Sequence, residues 1–298
     1  MARKREGRRD GKRGGFGSEA RRGKIYVYGR HALREALAHA PRAVRKVFLA
    51  PPLAEDRELA RLLERERIPA EIMRGGREAS RMVGEDAAHQ GVIAVVDPEK
   101  LVVDFDEFFS RELEARISSD TLFVLLDELT DPHNVGAIIR SAAAFGADGV
   151  LIPPHNQAPI TGSVVKASAG MAFRIPLLAI GNVNRTVDVL KDAGFRVYGL
   201  LMNGDTELAD EPFSGPSLII VGNEASGIRE KTLARCDAKL RIPMHPRAES
   251  LNASVSAAVA LYSWSAKHPA ALKSGAGPED APPREAPPAP PEKKYHGI

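Results

Sequence analysis

The polar loop that follows the apolar run Leu122–Leu126 contains an amide and a guanidinium at a spacing that suits catalysis. Asn134 is placed to cap the helix that begins there, and Arg140 follows six residues later, roughly 9 Å along the helix axis. The neighbours of Arg140 are small or apolar, so we expect its guanidinium to be packed and to need an anion or a carbonyl as partner. Taken alone, however, such an asparagine is usually a helix cap and such an arginine is usually solvated.

Two further loops combine glycine, carboxylate, hydroxyl and amide groups after apolar strands. Gly222 directly follows the run Leu218–Val221, which would let a ligand approach the backbone, and Glu224 then stands near a helix N-terminus, where a carboxylate is favoured. In the third loop, Ser250 and Asn252 precede a helix of small residues. Each loop also has a purely structural interpretation, because Glu224 suits the first turn of a helix and Ser250 and Asn252 are competing caps.

Other common chemistries lack their sequence signatures. Gly15, Gly17 and Ala20 have the glycine spacing of a dinucleotide-binding loop, but no strand precedes them. The sequence contains no phosphate-binding Walker loop, no Cys/His metal spacing and no Gly-x-Ser-x-Gly nucleophile turn. We therefore expect neither a metal nor a nicotinamide cofactor.

The elements that must position the three loops alternate between strand-like and helix-like from about Ile25 to Lys267. This alternation predicts an α/β fold with a mostly parallel sheet covered on both faces, whose ligands bind at the carboxyl ends of the strands. In the front block we expect strands over 24–28, 44–49, 70–73 and 91–96, and helices around 32–37 and 59–63. In the second block we expect strands over 122–126, 149–152, 195–201, 218–221 and 238–242, and helices over 135–145, 161–171, 183–193, 228–235 and 252–267.

Composition divides the chain into five parts. Residues 1–24 hold ten Lys and Arg against three acidic residues, a net charge of +7, whereas the whole chain carries only +3. Such an arm suits a flexible contact to nucleic-acid phosphate, or it is only a solubilising tail. We expect a disordered basic arm over 1–24, a small α/β domain over 25–97, a linker over 98–120, a larger α/β domain over 121–267 and a disordered Pro-rich tail over 268–298.

The cellular setting is suggested by what the sequence lacks. Cys236 is the single cysteine, so no internal disulfide can form, and no apolar secretion segment follows the charged start. The longest apolar runs are far shorter than the roughly 20 residues that span a bilayer. We therefore expect a cytoplasmic protein without a membrane span.

The three loops together resemble the motifs of the SpoU or TrmH family of RNA ribose 2′-O-methyltransferases, in the SPOUT superfamily. The matching segments are Asp131-Pro-His-Asn-Val-Gly-Ala-Ile-Ile-Arg140, Val221-Gly-Asn-Glu-Ala-Ser-Gly227, and Ile242-Pro-Met with Ser250-Leu-Asn-Ala-Ser-Val255. The front block, from Tyr28-Gly-Arg-His-Ala-Leu33 to His89-Gln-Gly-Val-Ile93, is similar to the RNA substrate-binding domain of the branch that methylates ribosomal RNA guanosines. The likeness covers residues 25–267 and implies a deep trefoil knot in the catalytic domain.

This resemblance implies S-adenosylmethionine as the methyl donor, bound largely through backbone groups of the knotted loops. The corresponding residues here are Gly222, Ile242 and Leu251, with Leu201 and Met244 nearby. The implied reaction is an in-line attack of a ribose 2′-oxygen on a sulfonium methyl. Such a reaction requires alignment and proton removal, but no metal.

The base proposed for the family corresponds to Arg140, with Asn134, Glu224, Ser250 and Asn252 around it. Because free arginine has a pKa above about 12, an orienting contact to the hydroxyl or an adjacent phosphate is an equally physical role. The resemblance favours large-subunit ribosomal RNA as the substrate, with transfer RNA as the alternative. The rival from another functional class is an RNA-binding protein that kept the fold and lost catalysis, and the presence of all five residues weighs against it.

The resemblance also implies a homodimer paired through the catalytic domain. The final helix carries small and apolar residues that would allow close packing at such an interface: Ala253, Ala257, Val259 and Ala260. Burial inside the chain explains the same residues equally well.

We predict that deleting residues 1–23 weakens RNA binding and flattens its salt dependence while leaving cofactor affinity unchanged. For every phosphate that the arm no longer neutralises, the logarithmic salt slope should fall by about 0.7 for single strands and about 0.9 for duplex. Binding titrations at several salt concentrations measure this slope. An unchanged slope would reduce the arm to a solubilising tail.

Overall fold

The computed structural model describes residues 23–85 and 87–273, which form two α/β units built on two sheets. Residues 1–22 of the basic arm expected over 1–24, and residues 274–298 of the tail expected over 268–298, lie outside the described residues. Within the described ranges, no helix is both long enough and apolar enough to cross a membrane.

The front unit is a four-stranded sheet with helices packed against it. Its strands are β1 (Ile25–Tyr28), β2 (Val44–Leu49), β3 (Ala70–Ile72) and β4 (Val92–Val96). Its helices are α1 (Arg30–His39), α2 (Pro51–Ala54), α3 (Arg57–Arg65) and α4 (Gly76–Val83). The strands lie in the order β1–β4–β2–β3, with β2 and β3 parallel and the other pairs antiparallel. The apolar face predicted for α1 is confirmed, since four side chains of it are buried: Ala32, Leu33, Ala36 and Leu37.

Residues 98–120, expected to be a linker, are folded onto the second sheet. They form α5 (Pro98–Leu101), β5 (Val102–Asp104), α6 (Phe105–Phe108), a π-helical turn over Phe109–Leu113 and a 3-10 turn over Glu114–Arg116. β5 adds an edge strand to the sheet, and Phe105, Phe109 and Leu113 are buried beneath it. These three side chains recur every four residues among charged neighbours, a helical period that the low hydrophobicity of the segment concealed. The linker prediction is therefore wrong.

The second unit is an eight-stranded sheet in which every registered strand pair is parallel. Besides β5, its strands are β6 (Leu122–Asp127), β7 (Gly149–Ile152), β8 (Leu177–Ala179), β9 (Arg196–Leu200), β10 (Thr206–Glu207), β11 (Ser217–Gly222) and β12 (Ala238–Arg241). They lie in the order β10–β12–β9–β11–β6–β7–β8–β5. The predicted parallel sheet is confirmed. β8 and β10 were not predicted, because two or three residues are too few to show a strand period.

Helices cover both faces of the large sheet, as its buried strands require. One face is covered by α7 (Pro132–Ala144), α8 (Gly162–Ala167) and α11 (Ala253–Lys267), and the other by α6, α9 (Val183–Asp192) and α10 (Glu230–Leu233). The central strand β6 alternates between them, with Leu122, Val124 and Leu126 in one apolar cluster and Phe123 and Leu125 in the other.

The chain after α11 remains part of the core for several residues. His268 is buried and its ring stacks on Trp264 at a centroid distance of 4.4 Å. Its Nδ1 lies 2.8 Å from a carboxylate oxygen of Asp120, and its Nε2 lies 2.9 Å from the carbonyl oxygen of Phe213. Ala271 is buried as well. The expected start of the tail at His268 is therefore wrong, because the imidazole is held from both sides.

The two units are docked through a half-buried ion pair and a close backbone contact. Arg174 donates from Nε and Nη2 to the two carboxylate oxygens of Glu35 at 2.5 and 2.9 Å, and Glu35 is only 7% exposed. A Cβ atom at Gly162 would lie 2.1 Å from the carbonyl oxygen of Tyr26. The front unit therefore rests directly on α8, and glycine is required at the contact.

We predict that Arg174→Met lowers the free energy of unfolding by about 1–3 kcal/mol at pH 7, since it leaves a buried carboxylate without its donor. The hydrogen bond and charge of Arg174 lower the pKa of Glu35 below its ordinary value of 4.5. The ion pair thus stabilises the fold above that value and ceases to do so as pH falls through the lowered pKa.

The difference between variant and wild type should accordingly shrink on going from pH 7 to pH values below the ordinary carboxyl range, as measured by thermal unfolding. Arg111→Met removes an exposed ion pair with Glu107 and serves as the control, which should be nearly neutral. An equal loss of stability at both pH values would contradict the assignment.

Candidate active site

Four parallel strands of the large sheet end at one edge and carry the loops of interest. β6, β9, β11 and β12 run in the same direction, and Gly222 at the end of β11 pairs in register with Asp127 at the end of β6. The loop before α7, the turn after β11 and the segment between β12 and α11 therefore meet at this edge. It is the edge at which parallel sheets bind ligands.

Asn134 joins two of these loops to the start of α7. Its amide nitrogen donates a short hydrogen bond to Oε1 of Glu224, and its Oδ1 accepts a hydrogen bond from Nδ2 of Asn252 at 3.0 Å. The expectation that Asn134 caps α7 is wrong. Asp131 is the cap and accepts from the backbone N–H of His133 at 2.9 Å, so that Asn134 lies in the first turn, buried and directed inward.

Asn252 is the cap of α11, one of the two alternatives that the sequence left open. Its Oδ1 accepts from the backbone N–H of Ser254 at 2.8 Å and from that of Val255 at 3.4 Å. Because Oδ1 of Asn252 accepts these backbone hydrogen bonds, its Nδ2 faces Asn134 and donates to it. Ser250 is exposed and makes no side-chain hydrogen bond within the described residues.

The turn after β11 folds back on itself. The backbone groups of Asn223 and Gly227 exchange hydrogen bonds of 3.0 and 2.9 Å, which close the turn and present Glu224 at its tip. A Cβ atom at Gly222 would lie 2.4 Å from the carbonyl carbon of Gly227 and 2.5 Å from the backbone nitrogen of Ile228. The closed turn is thus possible only with glycine at position 222.

A cavity of about 440 Å³ opens between these loops. Its volume suits a small organic ligand or cofactor. All five residues expected to bind the cofactor line it, together with Glu224 and Ser250: Leu201, Gly222, Ile242, Met244 and Leu251. Four of the five expected catalytic residues therefore belong to one site, since Asn134 and Asn252 are hydrogen-bonded to it through Glu224.

The charge of the cavity wall restricts what it can hold. Its lining residues, all within the described ranges, include the carboxylate of Glu224 but neither lysine nor arginine. For an anionic group such as a pyrophosphate, the wall provides a like-charged carboxylate and no cationic side chain, which is electrostatically unfavourable. A cationic ligand with an apolar body fits the wall, which also includes Gly222 at the end of β11.

Arg140 lies apart from this cluster. It is exposed on α7, it does not line the cavity, and no other residue of the described ranges forms a hydrogen bond or ion pair with its guanidinium. The expectation of a packed arginine with an internal partner is therefore wrong. Its neighbours Ala137 and Ser141 line an open apolar groove between α7 and α11, so the guanidinium remains accessible to a substrate.

Three polar residues that hold the turn were not selected from the sequence. Asp127, completely buried, pairs with Arg229, and Asn223 donates to the carbonyl oxygen of Glu128 at 2.9 Å. The available signal was an aspartate at the end of a buried strand, which requires a cationic or N–H partner. The partner itself, 102 residues away, was not predictable without the fold. In residues 23–85 and 87–273 no group of three or more His, Cys, Asp or Glu could hold a metal ion.

Comparison with known proteins gives matches over both units. Residues 121–262 match the model of the SpoU rRNA Methylase family, and residues 26–102 match the model described as RNA 2′-O ribose methyltransferase substrate binding. The chain is 35% identical over 239 residues to the 23S rRNA (guanosine-2′-O-)-methyltransferase RlmB of Pseudomonas putida, with 79% of this chain and 94% of the relative covered. Identity to the protein of the same description from Photobacterium profundum is 34%, with 79% and 95% covered.

Solved structures are similar over most of the chain. The SpoU methyltransferase AviRb from Streptomyces viridochromogenes, in complex with the cofactor AdoMet, superposes with a TM-score of 0.70 at 28% identity, covering 86% of this chain and 96% of that one. An AdoMet-bound rRNA methyltransferase from Sinorhizobium meliloti has a TM-score of 0.67 at 22% identity, covering 81% and 86%, and shows the shared fold.

We predict that Gly222→Ala lowers stability by about 1–3 kcal/mol, because the added Cβ overlaps backbone atoms and the turn must shift. The same shift should reduce affinity for S-adenosylmethionine at least about tenfold. Thermal unfolding and calorimetric titration measure the two effects. Gly181→Ala, whose Cβ would meet nothing within 4 Å, is the matched control. Wild-type affinity in Gly222→Ala would contradict the assignment of this cavity.

Proposed function

The chain belongs to the SpoU rRNA methylase family, and we propose that it transfers a methyl group from S-adenosylmethionine to the ribose 2′-hydroxyl of a guanosine in large-subunit ribosomal RNA. The reaction is supported by family membership and the cofactor by AviRb, a family structure that contains AdoMet. The guanosine in large-subunit RNA is supported by relatives described as 23S rRNA (guanosine-2′-O-)-methyltransferases. Since ribosomal RNA would be its substrate, we also propose that the protein works in the cytoplasm.

One observation carries this proposal. The cavity lined by the five expected cofactor residues also has Glu224 on its wall, and Glu224 is hydrogen-bonded to Asn134, which in turn accepts from Asn252. A non-catalytic RNA-binding protein would need neither a cavity of this size nor a carboxylate on its wall that is held by a side-chain amide. The lack of cationic lining residues suits the positively charged sulfonium of S-adenosylmethionine.

The residues of this chain have distinct roles in the proposed reaction. When bound, S-adenosylmethionine supplies a methyl group already activated by the positive charge on sulfur. Gly222 and Leu251 shape the wall against which it lies. Asn134 holds Oε1 of Glu224 and leaves Oε2 free of hydrogen bonds within the described residues, so that Oε2 can accept a hydrogen bond from a ribose hydroxyl. Asn252 fixes the orientation of Asn134.

Arg140 is proposed to contact the RNA and not the cofactor. Its exposed and unpaired guanidinium can donate to the 2′-oxygen or to an adjacent phosphate in a fixed, planar geometry. Proton removal by the arginine itself is the alternative role. Ser250, exposed at the mouth of the cavity, is positioned as a further donor to the ribose.

The remaining parts of the chain are assigned to RNA recognition. We propose that the front domain over residues 25–97 binds the RNA, since residues 26–102 match the substrate-binding model of the family. The basic arm over residues 1–24 would add phosphate contacts, and the catalytic domain would begin near residue 121. A trefoil knot in that domain is proposed from family membership. Transfer RNA is the alternative substrate.

We also propose a homodimer formed through α7 and α11. Val255, Val259 and Tyr262 of α11 are 46%, 38% and 62% exposed and form an apolar groove with neighbouring residues of α7. Of the residues expected at this interface, Ala253, Ala257 and Ala260 are buried inside the chain instead, because their side of α11 packs against α7 and β11. Val259 remains available to a second copy.

The proposed function is tested by incubating the full chain with methyl-labelled S-adenosylmethionine and large-subunit ribosomal RNA, with transfer RNA in a parallel reaction. Nuclease digestion followed by mass spectrometry should find the label in 2′-O-methylguanosine from ribosomal RNA. Label in transfer RNA alone would show that transfer RNA, and not ribosomal RNA, is the substrate. Absence of label from both RNAs, despite measurable cofactor binding, would favour the non-catalytic alternative.

For Arg140→Ala we predict loss of methyl transfer by three or more decades, roughly 4 kcal/mol of transition-state stabilisation. Affinity for S-adenosylmethionine should be nearly unchanged, because Arg140 does not line the cavity. Single-turnover methylation and calorimetric titration measure the two quantities.

Arg140→Lys separates proton removal from orientation, since lysine is deprotonated more easily but lacks the planar fork. Recovery of rate with rising pH would indicate proton removal, and inactivity at every pH would indicate orientation. Near-normal turnover in Arg140→Ala would refute the catalytic assignment.

For Tyr262→Asp we predict a monomer, because the variant places a charge within the proposed dimer face. Sedimentation at micromolar concentration should give a dimer for the wild type and half that mass for the variant. Ile72→Asp, at a similarly exposed position on the front unit, is the control and should remain dimeric. A wild-type monomer would overturn the proposed assembly.

A further inference from the structure

The ion pair between Asp127 and Arg229 lies at the end of β6, beside the site, and has no role in the reaction proposed above. Nε of Arg229 donates to Oδ1 of Asp127 at 2.8 Å, and its Nη2 lies 2.6 Å from the same oxygen. The backbone N–H of Arg229 donates to Oδ2 at 3.0 Å. Asp127 therefore binds both the side chain and the backbone of a residue that lies just beyond the turn after β11.

The other end of this turn is tied to the same strand end. Nδ2 of Asn223 donates to the carbonyl oxygen of Glu128 at 2.9 Å. Its Oδ1 accepts from the backbone N–H groups of Ala225 and Ser226 at 2.9 and 3.1 Å. Residues 127 and 128 thus hold the turn at its beginning and at its end.

The turn held in this way contributes to both functions of the site. Its tip carries Glu224, whose carboxylate meets Asn134, and its backbone from Gly222 to Gly227 lines the cavity. Because backbone hydrogen bonds close the turn, it must move as one body. A displacement at Arg229 would therefore shift the carboxylate and the cavity wall together.

We propose that Asp127 and Arg229 are positioning residues for methyl transfer, whose ion pair holds the turn over residues 223–227 where Glu224 reaches Asn134. The chemical step in this inference rests on the proposed function, whereas the placement of the turn does not. Asp127 is completely buried and Arg229 is partly exposed, so the pair adds little stability compared with apolar residues of similar volume, but its hydrogen bonds fix the orientation of the two groups. Methyl transfer requires that the reacting groups be held in a defined orientation, and the orientation of Glu224 depends on the position of this turn.

The test is Arg229→Met, which keeps the length of the side chain and removes the guanidinium. Single-turnover methylation should fall about a hundredfold, the effect of a displacement of about 1 Å at a reacting centre. Affinity for S-adenosylmethionine should fall about three- to tenfold, since the loop must now be ordered on binding. Amide hydrogen exchange over residues 222–228 should become faster. Arg229→Lys keeps the charge and should recover part of all three properties.

Arg235→Met is the matched control. Arg235 also donates from Nε to a carboxylate, that of Asp188 at 2.9 Å, and neither residue lines the cavity. Its loss should leave the rate, the affinity and the exchange of residues 222–228 at wild-type values. All assays are run well below the unfolding temperature of each variant, so that global instability does not contribute.

The possible outcomes separate this inference from the proposed function. Wild-type exchange in Arg229→Met, with or without slower methylation, would overturn the positioning role because the turn would not have moved. If Arg229→Met does not fold, Arg229→Lys decides: intermediate values support the role and wild-type values overturn it. If the wild-type protein methylates no RNA, the proposed function fails, and hydrogen exchange and cofactor affinity still decide the placement of the turn.

Discussion

The site depends on the buried side-chain amide of Asn134, whose nitrogen and oxygen must both find hydrogen-bond partners. Its nitrogen donates to Glu224 and its oxygen accepts from Asn252, so a single side chain connects the start of α7, the turn after β11 and the cap of α11. A buried amide left half satisfied would cost about 1–3 kcal/mol. The three loops are therefore stable in this arrangement only together, and the parallel sheet brings them within reach by ending its strands at one edge.

This arrangement also divides the proposed reaction between two surfaces. The cavity offers backbone groups, apolar walls and one carboxylate, which suit a cationic methyl donor. Arg140, by contrast, stands on the outer surface of α7 without a partner in the described part of the chain. The cofactor would be held by the loops around the cavity, whereas the RNA would meet exposed residues such as Arg140. Binding and chemistry should therefore respond to different substitutions.

Much of this arrangement follows from the sequence where the signal is local. β2 and β7 have the bounds expected from the sequence, and the buried face of α1 follows from its period. The prediction of Asn134 as the cap of α7 is wrong, and the local signal for the true cap is Pro132, which favours the first helical position and so places the cap at Asp131. Contacts between residues far apart in the sequence, and the exposure of single side chains, could not be predicted before the fold was known. The partner of Asp127 is 102 residues away, and Arg140 lies in an apolar sequence yet on an exposed face.

A crystal structure of the full chain with S-adenosylmethionine tests the central claim most directly, since it locates the methyl group relative to the amide that organises the site. We expect the cofactor in the cavity between Gly222, Ile242 and Leu251, with its methyl group directed toward the open side next to Glu224. Electron density for the cofactor at any other surface would contradict this account. So would a methyl group turned away from the cluster of Asn134, Glu224 and Asn252.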